Sequence, residues 1–369
     1  MAKLNLEKLY TKQISLTEWF EDIKHNQTQA LRLEDNDKRE RLAQLNNLIG
    51  LPFDKSVQFP AIDLAEKTLK FRQYFAAHKN EFCALRLIPN NITQPKLRMR
   101  GITIKKAMEW FAEQKINPAE YKADFVPHGN RQKYSTIFVV NKYGIFGEII
   151  KGGHYQLTQG FYDQGEPITF SFNFRDFVTA DNKPATKKYL NNIVRKIQIR
   201  SKKKQSMLKK QLKAKFYNNY LTGYFETVDT REFGLWFIDY NRILGEMYRD
   251  YNLVTDKPVG AVKSLSGQVA AHGKVKGRVK IIKSESILNA TIEENEILVS
   301  DMTTPDFLPL MQKSLGIITD LGGILSHAAI ISREIKKPCI TGVKIATQIL
   351  KDGDMVEIDT SRSEIIIID

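Results

Sequence analysis

The stretch TDLGGILSHAAIISRE, residues 319–334, decides how the C-terminal part of this chain is read. The apolar run 316–319 predicts a strand, Gly322 and Gly323 a turn, and Ser326 the cap of a helix that begins at His327. Unpaired amides and the positive dipole end of such a helix attract anions, so a phosphoryl group on the His327 ring is stabilised there. The same field disfavours imidazolium and leaves the neutral ring that a nucleophile must be. An isolated histidine at a helix start would be read as a packed residue, so its surroundings decide.

Around this stretch, short apolar runs predict strands at 277–282, 296–300, 339–342, 355–359 and 364–368, with the helix after His327 closed by Pro338. These bound a strand-rich domain at 264–369. Before it, a polar passage with Pro258 and Gly260 predicts a hinge linker at 251–263. Residues 81–250 read as an α+β domain, with strands at 82–88, 136–141, 144–150, 168–172 and 235–238 and a helix at 104–114. Residues 1–80 are polar and helical, with no motif that carries chemistry.

The length of 369 residues calls for more than one core, and 42% hydrophobic residues with 10% aromatic are those of a globular protein. No apolar run approaches the roughly 20 residues that cross a bilayer. The first residues lack the apolar core of a signal peptide, so the expected location is cytoplasmic. Cys83 and Cys339 stand in apolar surroundings and read as core thiols rather than a disulfide or metal pair. The net charge of +14 traces to residues 182–216, which hold 13 lysines and arginines and no acid. Leu190, Val194, Ile197, Leu208 and Leu212 recur there at helical spacing, which predicts helices with a solvated basic face. That reading is preferred to a nucleic-acid partner, because base-stacking aromatics are missing from the lysine-dense part.

Five ordered segments, 267–279, 304–309, 319–330, 332–334 and 338–342, together resemble the phosphohistidine, or swivelling, domain of the PEP-utilising enzymes, the family of phosphoenolpyruvate synthase, pyruvate phosphate dikinase and rifampin phosphotransferase. The resemblance implies that His327 carries a phosphoryl group between two sites, with Gly322, Gly323, Ser326 and Arg333 around it. Leu325 stands where many members have Thr. Residues 81–250 are similar, more distantly, to a reduced form of the family's ATP-grasp domain. That similarity implies nucleotide contacts from Arg86, Arg98, Arg100, Glu148 and Lys151, and a Mg²⁺ held by Glu226 and Asp239. The family's Gly-Gly-Lys loop is absent, and Asp239 and Asn241 stand where its Gln and Arg fall.

The implied architecture is a multidomain α+β or α/β chain, an ATP-grasp-like domain followed by a small β/β/α phosphohistidine domain. The implied function is an ATP- and Mg²⁺-dependent phosphotransferase with a phosphohistidine intermediate. Its acceptor, a small molecule or a separate protein, is not encoded in a motif, and the family's pyruvate-binding barrel has no counterpart here. The alternative is a non-catalytic nucleotide- or nucleic-acid-binding regulatory module that keeps the fold. His272, beside Gly273, reads as a turn residue, while His154, beside Gly152 and Gly153, reads equally as a turn residue or as one facing the nucleotide site.

Overall fold

The computed structural model describes residues 16–91, 94–129, 131–160, 162, 165–251 and 264–368. The chain is a mixed α/β multidomain protein with several sheets. It divides into two compact units: one holds residues 29–134 and 193–246, the other 16–28, 135–192 and 247–368. These units cut across the divisions expected at residues 80 and 250, because each gathers distant segments. The expected hinge lies, from residue 252 to 263, outside the described residues.

In the first unit four antiparallel strands are ordered Val57–Pro60, Tyr121–Pro127, Phe82–Pro89, Leu97–Thr103. Side chains alternate along a strand, so one face carries Leu85 and Leu87 opposite Phe125 and Ala123, all fully buried. Helices Ala61–Glu66, Leu69–His78 and Ile104–Glu113 contribute Leu64, Phe71, Ala107 and Phe111 to the same core. Thr103 caps the last of these by accepting from the Lys106 amide at 3.3 Å. Arg86 falls on the opposite parity, in register with Arg98 on one side and Asp124 on the other. The unit also contains the hairpin Gly223–Thr230 with Gly234–Asn241, in which Glu226 pairs with Asp239 and a bulge follows Glu226.

Residues 29–49 are part of this unit. Helices Thr28–Asn36 and Lys38–Ile49 are tied to the hairpin through Glu34, which is 3% exposed. Its carboxylate accepts from the Arg242 backbone at 2.8 Å and from Nε and Nη2 of that guanidinium, while Arg41 lies 3.6 Å away and donates to the Tyr240 carbonyl. The basic segment forms helices Pro184–Arg195 and Lys202–Leu212. Leu190, Val194, Ile197, Leu208 and Leu212 are buried and Lys202, Lys203, Lys204, Lys209 and Lys210 exposed, the amphipathic arrangement expected from their spacing.

The second unit contains the antiparallel strands Gly144–Lys151, Ile168–Phe172 and Phe177–Thr179, and an eight-stranded sheet. The middle of that sheet is parallel, ordered Lys274–Ile281, Glu296–Ser300, Gly316–Thr319, Cys339–Thr341. The last three of these are nearly continuous apolar runs, as strands covered on both faces are. Val279, Ile297, Val299, Ile318, Ile340, Val356, Ile358 and Ile365 form their core. Both cysteines are free and buried, and burial pushes each thiol up to about 12. Among the described residues, no helix is long and apolar enough to cross a membrane.

Burial alone would raise the Glu34 carboxyl, but its bonds to Arg242 and the charge of Arg41 outweigh that and hold it below the usual range. A depressed carboxyl stabilises the fold above its unfolded value and loses that contribution as pH falls through the folded one. Glu34→Ala leaves two arginines without their anion and should cost about 3–5 kcal/mol at pH 7. Urea unfolding followed through Trp110 and Trp236 measures the loss, which should shrink below about pH 4.

Candidate functional site

Two groups of side chains answer to the expected site residues, one in each unit. In the second unit, the strand Gly316–Thr319 ends among the C-terminal ends of the parallel strands, the edge where open α/β sheets bind ligands. Thr319 Oγ1 donates to the Leu321 carbonyl at 2.7 Å, and the Asp320 carboxylate accepts from the Thr347 amide at 3.2 Å, anchoring the turn from behind. Gly322 has φ +109°, a conformation that glycine adopts without strain. Ser326 then caps the helix His327–Glu334: its Oγ accepts from the Ala329 amide at 3.3 Å and donates to the Gly323 carbonyl at 2.8 Å. His327, the first helical residue, is half-buried. Leu325 is buried in the core, as an apolar residue at that position should be.

Arg333, expected around His327, stacks on two tyrosines. Its guanidinium lies 4.2 Å from the Tyr248 ring centroid and 5.1 Å from that of Tyr251, and it donates to the Ala270 carbonyl. Tyr248 in turn donates to the Ile324 carbonyl at 3.1 Å and Tyr251 to the Val269 carbonyl at 2.9 Å. The stack thus clamps the loop before His327 from the side. His25 adds a contact that no motif announced, its Nε2 lying 2.9 Å from Glu334 at the far end of the same helix.

Glu148 and Lys151, expected at the nucleotide, belong to this second unit. The Glu148 carboxylate rests on Gly323 so closely that a Cβ there would fall 2.1 Å from an oxygen. Glu148 is 1% exposed, and burial pushes its carboxyl up to about 7 despite a hydrogen bond with Gln268. Lys151 is exposed at its strand end, and its carbonyl accepts from Gln156 at 2.8 Å. His154 precedes the short helix Tyr155–Gln159, and His272 is exposed between Ala271 and Gly273.

In the first unit, the sheet face opposite the core gathers cations. Arg98 and Arg100 alternate along the edge strand with Lys96 just before it, and Arg86 is in register with Arg98. Like charges directly opposite on a ladder repel, so anions must be near. Asp124, fully buried, lies 3.8 Å from Arg86, and the Asp35 carboxylate meets Lys96 closely. Burial, with Arg98 and Arg86 beside it, pushes Arg100 down to about 9, so it stays charged at neutral pH. Burial and the Arg86 charge bring Lys96 down to about 7, although Asp35 opposes them.

The acidic pair Glu226 and Asp239 belongs to the same unit. Burial and the Asp239 charge raise the Glu226 carboxyl, which accepts from the Tyr224 hydroxyl at 2.9 Å. Asp239 is 6% exposed; its Oδ2 accepts from Lys38 at 2.9 Å, while its buried Oδ1 has no hydrogen-bond partner among the described residues. That oxygen fits a cation. Among the described residues no three metal-ligating side chains converge, so a Mg²⁺ here would take two carboxylates and complete its shell with phosphate and water oxygens. Asp35, Lys38 and Lys96 were missed by the motif reading; the alternation of Lys96, Arg98 and Arg100 was the signal that could have found the last.

Residues 292–363 match the family model described as PEP-utilising enzyme, mobile domain. The probable phosphoenolpyruvate synthase of Archaeoglobus fulgidus is 47% identical over 95 residues, 26% of this chain and 12% of that protein. The phosphoenolpyruvate synthase of Pyrococcus furiosus is 45% identical over 98 residues, 27% of this chain and 12% of that protein. An uncharacterized phosphotransferase of Bacillus subtilis, YvkC, is 37% identical over 133 residues, 34% of this chain and 16% of that protein. The matched part therefore spans less than a fifth of each of these relatives.

Because the Glu148 carboxyl is raised, the folded chain keeps a proton that the unfolded chain has lost between about pH 4.5 and 7, and stability falls as pH rises through that window. Glu148→Gln removes this dependence. Relative to the parent it should gain about 1–3 kcal/mol between pH 5 and pH 8, read from urea unfolding at the two values.

Proposed function

We propose, from the membership of residues 292–363 in the mobile domain of the PEP-utilising enzymes, that this chain is an ATP-dependent phosphotransferase working through a phosphohistidine on His327. The observation that carries the reading is the placement of His327: the first residue of a capped helix, directly after a glycine turn, inside the matched segment. The neutral ring nitrogen attacks a phosphorus of ATP, the bond from that phosphorus to the nucleotide's bridging oxygen breaks, and the nucleotide leaves with the electron pair. The amides at the helix start stabilise the negative charge of the phosphoryl group that the ring then carries. The phosphohistidine domain is the mobile carrier, and a second displacement passes the phosphoryl group to an acceptor, a small molecule or a separate protein.

The first unit is, in this reading, the reduced ATP-grasp domain. Arg86, Arg98 and Arg100 neutralise the phosphates, and a guanidinium suits this role because its planar fork meets two oxygens at once. Glu226 and Asp239 would hold Mg²⁺, supported by the unpartnered Asp239 Oδ1. Bound there, the metal would supply charge neutralisation at the leaving phosphate.

Incubation with ATP labelled at the γ or the β phosphorus tests the proposal. Wild type should take up an acid-labile, base-stable label that His327→Ala lacks entirely, and the position of the label separates γ from β transfer. No label on wild type with ATP and Mg²⁺ would overturn the reading in favour of a non-catalytic module.

A further inference from the structure

The cationic face of the first unit is served by an anion of the chain itself, and that anion fits it poorly. Asp35 receives three cations: Lys96 in close contact, Lys38 at 3.6 Å and Arg86 at 3.8 Å. The last two distances permit ion pairing but lie beyond hydrogen-bond reach. Arg86 meets its other anion, Asp124, also only at 3.8 Å, and Arg86 Nη1 and both Asp124 oxygens, although buried, have no hydrogen-bond partner among the described residues. A carboxylate has two oxygens and one charge. A phosphate brings more oxygens and more charge, enough to meet three cations at bonding distance.

Local forces do not explain the position of Asp35. It lies in the last turn of the helix Thr28–Asn36, which contains no basic residue in that turn, and a negative charge beside the negative dipole end is unfavourable. The cations across from it hold it there. Burial alone would raise its carboxyl, yet Lys96, Lys38 and Arg86 together take it well below the usual range. Asp35 keeps 27% of its side-chain exposure, so it closes the seat at its solvent side instead of being sealed within it.

We propose that Lys38, Arg86 and Lys96 form the seat of a nucleotide phosphate, and that the Asp35 carboxylate is a stand-in which that phosphate displaces. This assigns a ligand role to two lysines and a gating role to one acid. It rests on the reading of the first unit as a nucleotide-binding domain. Displacement would move the junction between the helices Thr28–Asn36 and Lys38–Ile49, where Lys38 also holds Asp239. Arrival of the phosphate and release of the acidic pair are thereby linked through a single turn of chain.

Titration calorimetry at pH 7 with ATP, and separately with tripolyphosphate, tests this on wild type, Asp35→Asn and Lys96→Gln. Asp35→Asn, which keeps the shape and removes the competing charge, should bind both ligands about tenfold more tightly, and Lys96→Gln about tenfold more weakly. Equal or weaker binding by Asp35→Asn overturns the stand-in, while ATP binding by wild type leaves the nucleotide reading in place. Tighter tripolyphosphate binding by Asp35→Asn without ATP binding by either protein supports the seat and sinks the nucleotide. Absence of binding for both ligands in both proteins overturns the two together. Should Asp35→Asn fail to fold, amide exchange in wild type decides: exchange at residues 28–36 should quicken with saturating ATP, and unchanged or slower exchange overturns displacement.

Discussion

Arg86 and Arg98 are set side by side by the register of two antiparallel strands, and neither can leave without breaking the sheet whose other face is the core. That enforced repulsion organises the first unit. Asp124 answers it from the neighbouring strand, and Asp35 and Lys38 come to it from helices far away in sequence. Glu34, one residue before Asp35, binds Arg242 just beyond the hairpin, so the same helix end is fixed on both sides. The first helices are thus part of the charged site because the site demands anions that its own strands do not supply in sufficient number.

The second unit solves a different problem, the display of one ring at a defined place. Parallel strands bring their C-terminal ends to one edge, and the turn after Gly316–Thr319 delivers His327 there. Each neighbour restrains the loop from another direction: Asp320 from beneath, the Tyr248 and Arg333 pair from the side, and Glu148 against Gly323. A helix of eight residues is short, and its own propensity would not hold it. Ser326, which both accepts from Ala329 and donates to Gly323, joins cap and turn into one piece.

The C-terminal domain was legible because its signals are local. Glu296–Ser300, Gly316–Thr319, Met355–Asp359 and Glu364–Ile368 are apolar runs bounded by polar or turn residues, and their limits coincide with those read from the sequence. The cap at Ser326 likewise needs only residues 323–329. By contrast, the units interleave segments, and no composition shift announces that residues 29–49 belong with 193–246. Glu148 reads from its strand motif as a nucleotide contact, and its carboxylate lies on Gly323, a contact across just under half of the chain's length. Lys38 and Asp239 are separated by 201 positions, and Lys96 and Asp35 by 61. Periodicity carries no information about such pairs.

The departures from the family resemblance make sense together once these pairs are known. A glutamine exchanged for Asp239 adds a negative charge beside Glu226, which would be costly so deep in the protein. Lys38 offsets it at 2.9 Å. Two residues on, Asn241 is 5% exposed and its side-chain oxygen accepts from the Leu244 amide at 2.9 Å, starting the helix Arg242–Met247. An arginine at 241 would place another cation where Arg41 and Arg242 already share Glu34. Lys38 meets the charge at 239 from a different part of the chain. Asp239 and Asn241 thus each have a partner, Lys38 and the Leu244 amide, that the strand pattern does not show.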